Sequence, residues 1–105
     1  MRLLIANMLF LGLVFSQGLA LAHTPLFSCF DNGDNTVTCQ GGFSDGSSAA
    51  GVAVHIFDAS GKALSEAKLD PNSEITFAKP KVEYRVQFDA GEGHRIDVQG
   101  KDIAE

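Results

Sequence analysis

In the second half of the chain apolar residues recur at every other position, and Gly, Pro, Asn or Asp intervenes before any run grows long. Val52, Val54 and Ile56 share one face of an extended segment, as do Ile75 with Phe77, then Tyr84, Val86 and Phe88, then Ile96 with Val98. A period of two sends alternate side chains to opposite faces, so each run predicts a strand with one buried face. Asp58-Ala59-Ser60-Gly61, Asp70-Pro71-Asn72-Ser73 and Lys79-Pro80-Lys81 separate the runs with turn-forming residues. Lys62 to Leu69 is composed of residues that also suit a helix, but no stretch holds a helical stripe long enough to compete.

The two cysteines extend this pattern toward the amino terminus. Leu26 to Phe30 and Thr36 to Gln40 read as short strands around Asp31-Asn32-Gly33-Asp34-Asn35, a cluster of turn residues. A hairpin centred on Asp34 pairs residues whose numbers sum to 68, which sets Cys29 opposite Cys39. An even cysteine count in an exported chain reads first as a disulfide. Thiolate metal ligation is the rival, but the ten-residue spacing is not that of a zinc knuckle and there is no second cysteine pair. With this hairpin the chain predicts an all-β fold, a small antiparallel Greek-key β-sandwich of about seven strands.

Residues 1–22 read as a signal peptide and residues 23–105 as a single β-sandwich domain. Arg2 precedes an apolar run from Leu3 to Phe15 interrupted only by Asn7, and Ala20-Leu21-Ala22 offers small residues at the cleavage positions. A run this short falls below the roughly 20 residues of a membrane span, so export to a periplasmic or secreted location is expected, with no span after cleavage. Removing 22 of 105 residues, among them one arginine, leaves 83 residues with 7 basic and 13 acidic side chains, a net charge of −6. That charge disfavours nucleic acid, which needs a cationic surface, and suits cations.

Catalytic signatures are not apparent. No serine sits in a nucleophile-elbow motif, and Asp31-x-Gly33-x-Asn35 lacks the glycine and acid positions of an EF-hand loop. The Ser- and Gly-rich stretch from Gly41 to Gly51 reads as an inter-strand loop, because no lysine or strand-to-helix junction follows it. The expectation is a protein that is not an enzyme and has no organic cofactor.

The stretch Gly51-Val52-Ala53-Val54, Asp58-Ala59-Ser60-Gly61, Leu69-Asp70-Pro71-Asn72 and Ile75-Thr76-Phe77 resembles the transthyretin-like or carboxypeptidase-regulatory-like sandwich. The segment from Val86 to Arg95 (VQFDAGEGHR), Gly41-Gly42-Phe43-Ser44-Asp45-Gly46 and a histidine just after the signal peptide are more specific. Together they resemble small periplasmic accessory proteins of nickel and cobalt energy-coupling-factor uptake systems. The resemblance covers most of the exported chain. It implies a non-catalytic role in which Ni²⁺ or Co²⁺, with Cu²⁺ as an alternative, is bound or presented while the protein docks on a membrane transporter component. The hydrolase of urate breakdown that shares the transthyretin fold carries a carboxy-terminal Tyr-Arg-Gly-Ser signature missing here.

Such ions favour imidazole and amine nitrogen. Cleavage before His23 would give that residue a free α-amine beside its imidazole, enough for one chelate ring. The Thr24 amide could add a ligand, and Pro25, lacking N–H, ends any longer run of amide ligands. If Phe88 opposes Ile96 and Val86 opposes Val98, residue numbers sum to 184 around the loop Gly91-Glu92-Gly93. His94 then shares the parity of Ile96 and Val98 and points to the core side at the rim, as a metal ligand or a hydrogen-bonded structural histidine. Glu92 at the loop tip could complete a site as a carboxylate. His55 falls on the face opposite Val54 and Ile56 and reads as a surface histidine. The competing class of function is a structural or adhesion-like interaction module that offers loops and edge strands to another extracytoplasmic protein.

Overall fold

The computed structural model describes residues 24–105, so residues 1–22, expected to be a signal peptide, and His23 lie outside the described residues. Seven strands form: β1 (Pro25–Asp31), β2 (Thr36–Phe43), β3 (Ala53–Asp58), β4 (Ala63–Lys68), β5 (Glu74–Ala78), β6 (Tyr84–Asp89) and β7 (Arg95–Gln99). A 3₁₀ turn, Gly100–Asp102, follows them. The strands make two antiparallel sheets, β1-β2-β5 and β4-β3-β6-β7, which is the expected all-β sandwich. Lys62 to Leu69 resolves in favour of extended backbone: β4 is a strand despite its helix-forming residues, because the adjacent β3 supplies ladder partners from Ala53 to Phe57.

Both hairpin registers are those the alternation predicts. Cys29 pairs with Cys39 and forms the disulfide, while Phe88 pairs with Ile96 and Val86 with Val98. The adjacencies β2–β5 and β3–β6 join strands distant in sequence and carry the crossings between sheets.

Alternation then fills the space between the sheets. Val37 and Cys39 from one layer meet Val54, Ile56, Val86 and Phe88 from the other, with Tyr84, Leu69 and Ala49 closing the ends. Phe88 is fully buried, its ring 5.3 Å from Phe27 and 6.0 Å from Phe43. Burial of a side chain this size stabilises by about 1.5–3 kcal/mol. Gly41 makes the close approach possible: a Cβ there would stand 2.8 Å from the Phe88 ring and 2.7 Å from Leu69 Cδ1. β4 is exposed along its whole length, an edge strand that overhangs the smaller sheet. Among the described residues no helix is long and apolar enough to cross a membrane.

The two sheets are aligned so that four segments meet at one end. Phe27, near the start of β1, contacts Phe88, near the end of β6, while Asp31 at the other end of β1 donates its N–H to Ala104 O at 2.9 Å. Thr24, the β2–β3 connection, the β4–β5 turn and the β6–β7 turn therefore share what we call the upper end. The β1–β2, β3–β4 and β5–β6 turns and the carboxy terminus share the lower end.

Candidate functional site

The upper end carries the two described residues expected to bind metal. Gly91 and Gly93 adopt φ of 109° and 79°, a left-handed region that glycine enters without steric cost. The turn is closed by Ala90 N–H donating to His94 O at 3.1 Å and His94 N–H donating to Gly91 O at 2.9 Å. Glu92 and His94 are both exposed. His94 therefore does not point into the rim of the core as its parity predicts. β7 begins only at Arg95, so residue 94 belongs to the turn, where strand alternation no longer fixes direction. His94 Nδ1 lies 3.2 Å from Glu92 O. A carbonyl only accepts, so Nδ1 carries the proton, and in the neutral ring Nε2 is then the nitrogen with a free lone pair. This is the form of imidazole that ligates a metal.

Among the described residues, no three His, Cys, Asp or Glu side chains come together in an arrangement that could hold a metal ion. Cys29 and Cys39 are joined to each other, and no free cysteine occurs among the described residues. Glu92 and His94 are thus at most two donors on an exposed turn, and His23 lies outside the described residues.

A second grouping was not anticipated. His55 does lie on the outer face of the four-stranded sheet, yet its side chain is only 20% exposed. Nε2 is 3.2 Å from Asp89 Oδ2, and Nδ1 is 3.8 Å from Glu66 Oε2. Asp89 in turn accepts from Arg95 Nε at 2.9 Å and from Gly91 N–H at 3.0 Å. Glu66, His55, Asp89 and Arg95 come from β4, β3, β6 and β7 in order, so one line of polar side chains crosses all four strands. The Arg95 hydrogen bond, with help from Gly91 and His55, holds the Asp89 carboxyl below the usual carboxylate range. Below this line Arg85 lies over the Phe57 ring, 4.3 Å from its centroid, and reaches Asp97 Oδ1 at 3.1 Å.

The acidic excess also acquires a structural explanation. Of the 8 aspartates in the chain, Asp31, Asp34, Asp45, Asp58, Asp70 and Asp89 each accept a backbone N–H from the residue two positions on. Each is an Asx turn, the side chain mimicking a backbone turn. The spacing Asp-x-Gly, -Ser, -Thr or -Asn that signals them is visible in the sequence. Six of the 13 acidic side chains that suited a cation partner thereby take part in shaping turns.

Compared with protein-family models, curated proteins and solved structures, the chain matches none of them.

Proposed function

We propose that this protein is a non-catalytic extracytoplasmic accessory of nickel or cobalt uptake, which presents the ion from its upper end while docked on a membrane transporter. The observation that carries the reading is positional. Thr24, the residue directly after His23, stands at the same end of the sandwich as the β6–β7 turn, where His94 is exposed. The α-amine and imidazole of His23 would form a chelate ring, with His94 as a further nitrogen donor and Glu92 as a carboxylate. Nitrogen donors suit Ni²⁺, Co²⁺ and Cu²⁺ in that mixed set.

The test is calorimetric titration of Ni²⁺ and Co²⁺ into protein beginning at His23. One extra glycine before His23, or His23→Ala, should weaken binding sharply, because either removes half of the chelate. His94→Ala should weaken it without altering the unfolding midpoint, since that side chain is exposed. Absence of micromolar binding to the authentic amino terminus would overturn the reading.

A second reading, a protein-interaction module without metal, is favoured by the uncharged, partly apolar edge of β1. Leu26 and Phe30 there are 52% and 41% exposed.

A further inference from the structure

The lower end holds a cleft between two segments that cross beneath the core. One wall is the β5–β6 connection, residues 79–83, and the other is the carboxy-terminal turn, residues 100–103, with Tyr84 between them. The cleft encloses about 370 Å³, near the small end of the range for sites that take organic molecules. A Cβ on Gly100 would stand 2.6 Å from the Tyr84 ring, so glycine at this position lets the turn close onto it.

Three of the chain's five lysines, Lys79, Lys81 and Lys101, line this cleft, against one acid, Glu83. Lys79 is engaged by Asp31 at 2.8 Å. Lys81 and Lys101 are exposed and form no hydrogen bond or ion pair among the described residues. In a chain with a formal charge of −5, two unpaired ammonium groups on facing walls favour an anion. Tyr84 supplies an independent reason. It is 6% exposed, and its hydroxyl is buried with no hydrogen-bond partner, the one such side-chain atom among the described residues. An unpaired buried donor is costly, so a phenol at the floor of a cleft is poised for an acceptor from outside the chain. Its ionisation responds to both Lys79 and Asp31, which sets the hydroxyl toward the Lys79 wall. Glu105 does not fill the role, because its carboxylate lies in the β1–β2 turn, 3.3 Å from where a Cβ on Gly33 would stand.

We propose that this cleft binds a small organic carboxylate with an apolar tail. The carboxylate accepts the Tyr84 O–H at the floor, and Lys81 and Lys101 supply cations from the two walls. The tail lies on Ile103 and on Val82, which is 55% exposed. A lone inorganic anion would leave that apolar rim in water, and a neutral apolar molecule would leave the lysines and the phenol unanswered. Lysine ammonium groups are point charges on flexible stems, so the site selects charge and tail rather than a bidentate geometry. The cleft lies at the opposite end of the sandwich from His94 and does not depend on a metal.

Tyr84 is the one tyrosine and the chain has no tryptophan, so tyrosine fluorescence reports on this cleft alone. Octanoate should change that emission saturably, with half-saturation below about 1 mM. Octanamide, acetate and inorganic phosphate should each bind at least about tenfold more weakly, since each lacks the charge or the tail. Lys81→Gln combined with Lys101→Gln should weaken octanoate at least about tenfold. Lys62→Gln combined with Lys68→Gln, the same loss of charge on exposed residues elsewhere, should leave it unchanged. Tyr84→Phe, followed by calorimetry, should weaken octanoate at least about threefold while keeping or raising the urea midpoint, because the hydroxyl has no partner in the fold. No saturable change up to about 10 mM octanoate, or octanamide or phosphate binding as tightly, overturns the proposal. A Tyr84→Phe variant that loses stability but keeps full octanoate affinity overturns it too, since the hydroxyl would then serve the fold.

Discussion

His55 Nε2 and Asp89 Oδ2 stand 3.2 Å apart across the central pair of the four-stranded sheet, and Asp89 is the residue on which three elements converge. Its other oxygen holds Arg95 at the start of β7 and the N–H of Gly91 in the β6–β7 turn. The turn that carries Glu92 and His94 is thus anchored to β3 through one carboxylate.

Asp89→Asn should therefore lower the urea midpoint more than Asp97→Asn, whose carboxylate engages only the side chains of Arg85 and Gln87. It should also speed amide exchange at Gly91 and His94. Equal midpoints for the two variants would deny Asp89 its anchoring role.

Stability should be flat across neutral pH and fall at both extremes. Asp89, Asp31 and Asp58 are held below the ordinary carboxylate value of 3.8 by hydrogen bonds from Arg95, Lys79 and Ser60 respectively. A depressed folded pKa means the unfolded chain binds protons first, so this stabilisation is complete above about pH 4 and is lost as pH falls through the folded values. Lys79, raised by its bond to Asp31, and Tyr84, raised by burial, act in the opposite direction. Their contribution is complete below about pH 10 and is lost as pH rises through the folded values. Urea midpoints between pH 2 and 11 should trace this plateau, and Lys79→Met should flatten its alkaline shoulder.

Local periodicity made much of this fold legible. Both hairpin registers could be read because each strand pair is joined by a short turn, so apolar parity and turn position fix the partners together. The β2–β5 and β3–β6 pairings could not, since nothing local in residues 53–58 names residues 84–89 as their partner. The His55–Asp89 contact depends on that long-range register, which is why His55 read as an ordinary surface residue. His94 failed for a different reason: parity was extended one residue past the strand into a turn made by two left-handed glycines.

Gly41 should be close to irreplaceable although its strand position would accept most residues. A methyl group there would press on the Phe88 ring and Leu69 Cδ1, and Phe88 is fully buried against Phe27 and Phe43, so its ring has little room to retreat. Gly41→Ala should cost about 1–3 kcal/mol, the usual penalty of overpacking a filled core. Gly42→Ala, one residue on and facing open space, should be nearly neutral in the same urea titration.

The disulfide should matter most where β1 is weakest. β1 is an edge strand paired only with β2, whereas Cys39 is buried on β2 between β1 and β5. A ten-residue separation limits the loop-closure entropy that the bond removes from the unfolded chain, and replacing both cysteines with alanine should cost about 2–5 kcal/mol. The loss should be local before it is global. Without the cross-link, amide exchange should accelerate first at Leu26, Ser28 and Phe30, whose N–H groups bond to β2, while Val54, Ile56 and Val86 in the centre of the other sheet keep their protection. Uniform acceleration across both sheets would instead make the hairpin part of one cooperative unit. Peptide mapping of the non-reduced protein should recover Cys29 joined to Cys39, and two free thiols there would remove the covalent tie on which this expectation depends.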